Sequence, residues 1–231
     1  MRAFDCQVQS IQPLTNTVLQ VMLALDEPFD YQAGQYIEIL NDDEQAMPYS
    51  IANAPLGTNT LELHIGHAKD NPYSLRLLET IRRQKHLKIT GPHGDCGVHR
   101  LVPDMPIIFM AGGTGFAPVK AMLEQLMADS DERAMHVFWG AKSLNDLYAE
   151  ERLAYWDQHI EHFHYTPFVA AHYDDGKKTL SEVISAQFAD ELHQHQMILA
   201  GAFDMVYKAR DAFLLHGLER AHMFSDAFAF E

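Results

Sequence analysis

The spacing of hydrophobic residues changes near residue 100, and this change constrains the fold more than any other feature of the sequence. Before it, short segments alternate apolar with polar residues, as half-buried β-strands do. These segments are residues 4–11, 17–25, 36–40, 61–65 and 86–90. One helix interrupts them, with Pro72 at its start and Leu75, Leu78 and Ile81 at helical spacing. Short, evenly spaced strands predict a closed antiparallel barrel or a sandwich.

Beyond the turn-forming residues 103–106, strand-like and helix-like segments alternate. The strands are predicted at 107–111, 135–139, 165–170 and 197–200, and the helices at 116–126, 147–156, 180–188 and 205–215. This alternation is typical of βαβ units around a parallel sheet. We therefore predict an N-terminal antiparallel β-barrel domain over residues 1–100 and a parallel-sheet α/β domain over residues 101–231.

The composition limits the partners that the chain can have. Asp and Glu number 32 against 17 Lys and Arg, which gives a formal net charge of -15. Nucleic acids and anionic membranes need clustered cations, so neither is an expected partner. The two cysteines, Cys6 and Cys96, are read as reduced thiols, and no apolar run approaches the ~20 residues that span a bilayer. The N-terminus lacks the apolar core of a signal peptide, so we expect a cytoplasmic protein.

A glycine-rich segment carries the strongest local signal. The apolar run 107–111 leads into Gly112, Gly113, Thr114 and Gly115, and a helix is predicted from Phe116. Glycines let the backbone approach a phosphate, and a helix N-terminus offers unpaired N–H groups. The segment is not the GxGxxG of the classical dinucleotide fold, and a tight turn that needs positive φ is the alternative interpretation.

Two later strand ends strengthen the nucleotide hypothesis. Trp139-Gly140 and Gly201 each follow a predicted strand with small residues, and Lys142 and Met205 lie just beyond them. In open α/β sheets, ligands bind beyond the carboxyl ends of the strands. Three such turns predict a floor for a planar, phosphorylated ligand. Lys142 is either a placed cation or an ordinary surface lysine.

In the first half, residues 47–50 stand out. Pro48 restricts the backbone, Tyr49 joins an aromatic ring to a polar tip, and Ser50 is a small donor and acceptor. A strand entered through proline is the alternative interpretation. The 14 histidines show no HExxH motif and no cysteine partner, so we expect no metal site.

Taken in order along the chain, these motifs resemble those of the ferredoxin–NADP reductase superfamily. Within it, the chain is most similar to the small bacterial NAD(P)H:flavin oxidoreductases of the luminous-bacteria type. The resemblance covers nearly the whole sequence. Its most specific parts are the Gly-Gly-Thr-Gly-Phe turn at 112–116 and the aromatic C-terminal segment 224–230.

The resemblance implies hydride transfer from NADH or NADPH to a flavin, with the choice of nucleotide left open. It implies that Pro48, Tyr49 and Ser50 line the flavin ring, with the Ser50 hydroxyl near flavin N5 as the catalytic group. His64, Ile65 and Gly66 would edge the ring, partly through backbone groups. The implied nucleotide-binding residues are Gly112, Gly113, Thr114, Gly115, Phe116, Trp139, Gly140, Lys142, Gly201 and Met205, with Asp226 and Phe228 closing the nicotinamide pocket.

One departure concerns how flavin is held. The family usually has Arg where this chain has Met47, and tight binders carry a phosphate loop where this chain has residues 69–74. A neutral Met makes no charge-assisted hydrogen bond to phosphate, so we predict that flavin visits as a substrate and that riboflavin binds about as well as FMN. The sequence leaves the final electron acceptor open among ferric iron, oxygen and a flavin-dependent monooxygenase. Two alternatives are an electron-transfer reductase with tightly bound FAD that serves an oxygenase, and a non-catalytic nucleotide-binding redox module.

Overall fold

A computed structural model describes residues 2–40, 46–67, 72–172 and 177–231 of the chain. The chain divides into two compact units. The first comprises Met1–His99 and Lys120–Asp129, and the second comprises Arg100–Val119 and Ser130–Glu231. Ten residues that follow the first strand of the second unit therefore belong with the first unit.

The first unit is built on an antiparallel six-stranded sheet. Its strands are β1 (Ala3–Pro13), β2 (Val18–Leu25), β3 (Tyr36–Leu40), β4 (Ala46–Ser50), β5 (Thr60–Gly66) and β6 (His86–His93), in the order β4-β3-β6-β1-β2-β5. A β-bridge between Ile51 and Leu63 joins the two outermost strands, so the sheet closes on itself. The predicted antiparallel barrel is confirmed.

The interior of the barrel follows the alternation that the sequence shows. Leu23, Ile37, Ile39 and Leu63 are fully buried because alternate side chains of a strand point to the same face. Helix α1 (Pro72–Arg83) packs Leu77, Leu78 and Ile81 against this core, whereas Leu75 is exposed.

Strand β5 departs from the expected half-buried pattern. The alternation predicts a half-buried strand with Glu62 and His64 on its polar face, but these two residues are only 8% and 6% exposed. The prediction is wrong because Lys120 and Glu124, which are far away in sequence, lie against this polar face. Strand β5 is therefore buried on both faces.

The second unit contains a parallel five-stranded sheet. Its strands are β7 (Ile107–Gly112), β8 (Met135–Ala141), β9 (Phe163–Val169), β10 (Gln196–Ala200) and β11 (Met223–Phe224), in the order β11-β10-β7-β8-β9. Helix α2 (Phe116–Ala128) begins in this unit, and its residues from Lys120 onward belong to the first unit. The other helices of the second unit are α3 (Glu150–His159), α4 (Leu180–Gln187) and α5 (Phe203–Leu215). The predicted β-barrel followed by a parallel-sheet α/β domain is confirmed.

Two local differences from the sequence prediction have physical causes. Helix α3 begins at Glu150 rather than at 147, because Leu144–Asp146 forms a separate 3₁₀ turn that Ser143 and Asp146 cap reciprocally. Strand β11 was not predicted, since two residues are too few to show a period. Within the described residues, no helix is both long and apolar enough to cross a membrane.

Candidate functional site

In the second unit, the strand order reverses beside β7. Strands β8 and β9 lie on one side of β7, whereas β10 and β11 lie on the other. Ligands of open α/β sheets bind at such a switch point, beyond the carboxyl ends of the strands. Gly112 ends β7 and Ala200 ends β10, so the predicted glycine turn lies at this point.

Three of the predicted glycines are closely packed at the switch point. A Cβ on Gly115 would lie 2.4 Å from the Ala200 carbonyl oxygen, so no other residue lets the chain pass β10 here. A Cβ on Gly112 would lie 2.6 Å from the Met205 sulfur, and one on Gly201 would lie 2.5 Å from the Met205 methyl carbon. The structure therefore brings together Gly112, Gly115, Gly201 and Met205.

Gly113 presents its backbone to the outside. Its φ is +54°, and no described atom lies within 4 Å of the position that a Cβ would take. The 3₁₀ turn Gly113–Gly115 runs directly into α2, and the Phe116 N–H, the first of the helix, donates back to the Gly113 and Thr114 carbonyl oxygens. An exposed glycine backbone at a helix N-terminus fits the phosphates of a nucleotide. Thr114 is partly exposed beside it.

Trp139 and Phe116 support this turn from beneath. Both side chains are buried, and their rings stack with centroids 4.0 Å apart. The Trp139 indole N–H donates to the Gly113 carbonyl oxygen at 2.9 Å. Both residues are predicted to contribute to nucleotide binding, and their buried side chains hold the turn in shape. Gly140 and the exposed Lys142 follow Trp139 at the same end of β8.

The C-terminal segment reaches the same edge of the sheet. Strand β11 is parallel to β10, so Asp226 and Phe228, which follow it, lie at the carboxyl end. The Tyr207 hydroxyl donates to the Ala227 carbonyl oxygen at 2.8 Å, and the Arg220 guanidinium lies 3.9 Å from the centre of the Phe228 ring. Both predicted residues are partly buried.

In the first unit, the predicted residues lie where the barrel closes. Pro48 is exposed, Tyr49 packs against the barrel core, and Ser50 is partly buried and pairs with Tyr36 of β3. One position on from the closing Ile51–Leu63 bridge, the antiparallel register sets Ser50 opposite His64. The Ser50 hydroxyl makes no hydrogen bond within the described part of the chain.

The remaining residues of the predicted flavin site differ in exposure. The side chains of His64 and Ile65 are buried, so only their backbone can border a ligand, whereas Gly66 is partly exposed. Met47 is partly buried against the barrel core. Residues 69–71, part of the segment that stands in place of the phosphate loop of tight flavin binders, lie outside the described residues.

Sequence reasoning missed a buried charged network on β5. Glu62 accepts hydrogen bonds from Gln20, His64 and Lys120 at 2.7, 2.8 and 2.9 Å. Burial alone would raise the pKa of the Glu62 carboxyl, but the His64 hydrogen bond and the Lys120 charge outweigh it and hold this pKa at about 2. The available signal was Lys120, a lone cation in an apolar helix, four residues before Glu124.

A second titratable cluster lies in the second unit. The His136 ring stacks on that of His164 at 4.7 Å, and its centroid lies 6.0 Å from that of His195. Burial, together with the neighbouring His164 and His195, lowers the pKa of His136 to about 4. No described residue bonds to its buried Nδ1 atom.

Comparisons with known proteins identify the family. Residues 109–211 match the family model of the oxidoreductase NAD-binding domain. The chain is 33% identical to an NAD(P)H-flavin reductase of Vibrio harveyi, over 98% of this chain and 98% of that protein. The chain belongs to the NAD(P)H-flavin reductase family.

The chain is also similar to longer reductases, of which it covers about two thirds. The chain is 32% identical to the CDP-6-deoxy-L-threo-D-glycero-4-hexulose-3-dehydrase reductase of Yersinia pestis, over 98% of this chain and 69% of that protein. The crystal structure of the Amycolatopsis cytochrome P450 reductase GcoB shares the fold, with a TM-score of 0.86 and 22% identity over 97% of this chain and 69% of that one.

In the described ranges of the present chain, no group of three or more His, Cys, Asp or Glu residues is arranged to hold a metal ion.

Proposed function

We propose that this protein transfers hydride from NADH or NADPH to free flavins and releases the reduced flavin. The observation that carries this proposal is the open Gly113–Gly115 turn at the switch point, in a chain that belongs to the NAD(P)H-flavin reductase family. The two domains divide the work in this proposal. The barrel unit binds flavin, and the parallel-sheet unit binds the nicotinamide nucleotide.

The nicotinamide supplies hydride from C4 and the flavin accepts it at N5, so the protein contributes binding and orientation. In the second unit, the backbone of residues 113–115 and the N-terminus of α2 bind the nucleotide phosphates, and exposed Lys142 adds a positive charge. Gly140, Gly201 and Met205 shape the floor beneath the nucleotide. Asp226 and Phe228 border the nicotinamide.

In the first unit, Ser50 is the proposed catalytic residue. Its hydroxyl can both donate and accept, so it can follow the change of protonation at flavin N5 during reduction. Pro48 and Tyr49 line one side of the ring, and the backbone of residues 64–66 borders the other. The absence of a described partner for the Ser50 hydroxyl supports this assignment.

The proposal treats flavin as a substrate rather than a resident cofactor. Met47 gives no charge-assisted bond to a phosphate, so recognition rests on the ring system. We expect purified protein without stoichiometric FAD, and kcat/KM values for riboflavin and FMN within about threefold of each other, since an exposed phosphate adds little binding energy. The test is a visible absorbance scan followed by NADH and NADPH oxidation assays with each flavin. Stoichiometric bound FAD would contradict it.

The second candidate is an electron-transfer reductase that keeps its FAD. The similarity to the longer Yersinia pestis reductase favours it, because that protein is named as the reductase of a dehydrase. The absorbance scan separates the two candidates directly. A protein that binds NADH without oxidising it in the presence of riboflavin would instead support the non-catalytic alternative.

The finer biological setting is also a proposal. Reduced flavin released by this protein would pass to a flavin-dependent monooxygenase or to ferric iron. A cytoplasmic location is consistent with Cys6 and Cys96, which are both buried free thiols.

A further inference from the structure

We infer that Lys120 is a positioning residue for flavin reduction: its ammonium group fastens the chain just after Ser50 to the strand that carries His64. This inference rests on the proposed function, because it concerns the side of the flavin site that Ser50 forms. Lys120, Ser50 and His64 all belong to the first unit.

The ammonium group of Lys120 has three donors and three partners. Nζ lies 2.8 Å from the Ala52 carbonyl oxygen, 2.9 Å from Glu62 Oε2 and 2.8 Å from Glu124 Oε1. A lysine ammonium offers three N–H donors, so all of them are used. The side chain is 12% exposed, so water competes weakly for these bonds. The ammonium group is therefore held at one point.

The ammonium group binds the chain at the corner that follows Ser50. The Ile51 N–H donates to the Gln35 carbonyl oxygen at 3.0 Å, while Ile51 also bridges to Leu63 of β5. The Ala52 N–H then donates to the Glu62 carbonyl oxygen at 2.7 Å. The chain thus passes from β3 to β5 within two residues of Ser50, and Lys120 binds the carbonyl group of the second.

The same network holds the opposite strand. Glu62 Oε1 accepts from the His64 ring at 2.8 Å and from Gln20 Nε2 at 2.7 Å, while Oε2 accepts from Lys120. An ionised carboxylate is only an acceptor, so His64 Nε2 must carry the proton in this bond. Glu124 Oε2 accepts from the Ala54 N–H at 3.2 Å and fixes the chain two residues beyond Ala52.

A buried ion pair is not in itself a good way to stabilise a fold. Well-packed apolar residues of similar volume are often as stable, because two charges must be removed from water. What the pair adds is a fixed position, and hydride transfer depends steeply on position, since a displacement of about 1 Å can reduce a rate about a hundredfold. This is why the network points to the reaction rather than to stability alone.

The experiment compares two variants that differ only at Lys120. Glu62→Gln removes one charge but leaves Lys120 bonded to Ala52 and Glu124. The double variant Lys120→Met with Glu62→Gln removes the ammonium group without leaving Glu62 as an unpaired charge. Lys88→Met, at an exposed position of β6 in the same unit, is the matched control. Each protein is assayed for kcat, for KM with riboflavin and with NADH, and for its thermal unfolding midpoint.

The positioning role predicts that the double variant has a kcat at least about tenfold below that of Glu62→Gln, with KM for NADH changed less than about twofold. Its unfolding midpoint should stay close to that of Glu62→Gln, and Lys88→Met should match the wild type. Equal kcat values in the double variant and Glu62→Gln would overturn the inference. So would a fall in kcat that tracks the unfolding midpoint.

Lys120→Arg tests the positioning role if the double variant does not fold. Arginine keeps the charge but replaces the point-like ammonium with a planar fork, so it cannot reproduce all three bonds. We expect kcat to fall at least about threefold while folding is kept, and an unchanged kcat overturns the inference. Wild-type protein without NADH–riboflavin activity would defeat the proposed function itself, and the positioning role with it.

Discussion

The two units build their candidate sites from opposite materials. In the second unit the site is bare backbone, shaped by glycines and held from beneath by Trp139, Phe116 and Met205. In the first unit the site is a side chain on a strand, Ser50, next to a corner that buried charges hold in place.

This contrast shows which property each site depends on. A backbone site depends on volume and dihedral angle, so adding a single methyl group can destroy it. A side-chain site depends on a functional group, so removing one atom can abolish its activity while the fold remains intact. The variants below test this difference, and the largest effect comes first.

Gly115→Ala should be the most damaging single change. Its Cβ would lie 2.4 Å from the Ala200 carbonyl oxygen, and backbone cannot move aside as a side chain can. We expect a loss of about 3 kcal/mol in the free energy of unfolding, and a raised KM for NADH. Urea unfolding and steady-state kinetics measure both effects.

Gly217→Ala is the matched control for that change. Gly217 has φ +85°, but no described atom lies within 4 Å of its Cβ position, so only the dihedral strain of about 1 kcal/mol remains. If both variants lost the same stability, the volume argument for Gly115 would be wrong.

Ser50→Ala tests the side-chain site. We expect kcat to fall by about tenfold or more, with KM for NADH and the unfolding midpoint nearly unchanged, because only a hydrogen bond to the reacting ring is lost. Ser50→Thr keeps the hydroxyl and should retain most of the activity. Undiminished turnover by Ser50→Ala would remove this residue from the mechanism.

The two units should lose stability at different pH values when the solution is acidified. The pKa of His136 is about 4 in the folded protein and near 6.5 when unfolded, so the unfolded chain binds more protons between these values. Stability is therefore complete above pH 6.5 and is lost as the pH falls towards 4. Because His136 is only partly screened from water, we expect the free energy of unfolding to fall by about 1–2 kcal/mol over this pH range.

The first unit should respond to acid later. Glu62 has a folded pKa of about 2 against an ordinary value near 4.5, so its contribution is lost only between pH 4.5 and 2. Urea unfolding of the wild type and of His136→Phe, measured from pH 7 to pH 2, tests the order. A wild-type curve as flat as that of His136→Phe would show that His136 does not set the acid limit.

Trp139→Phe should have the smallest effect. Phenylalanine keeps the stacking on Phe116 but loses the indole N–H bond to the Gly113 carbonyl oxygen. We expect the free energy of unfolding to fall by about 1 kcal/mol. We also expect KM for NADH to rise a few-fold, because the turn is held less firmly. An unchanged KM would mean that the turn keeps its shape without this bond.

The sequence was sufficient where structure follows from local period. Strand β3 was predicted at 36–40 and lies at Tyr36–Leu40, and the glycine turn at 112–115 lies between β7 and α2 as expected. It was not sufficient where distant segments meet. Nothing local to β5 shows that Lys120 covers Glu62, and nothing local to Trp139 shows that its indole reaches back to Gly113.

The shape of the second sheet also has a consequence for solubility. Its two edges are β11, which has only two residues, and β9, which includes Pro167. A strand of two residues offers little to pair with, and proline cannot donate a main-chain hydrogen bond. Each edge is therefore a poorer template for adding a strand from another molecule than a long strand without proline would be.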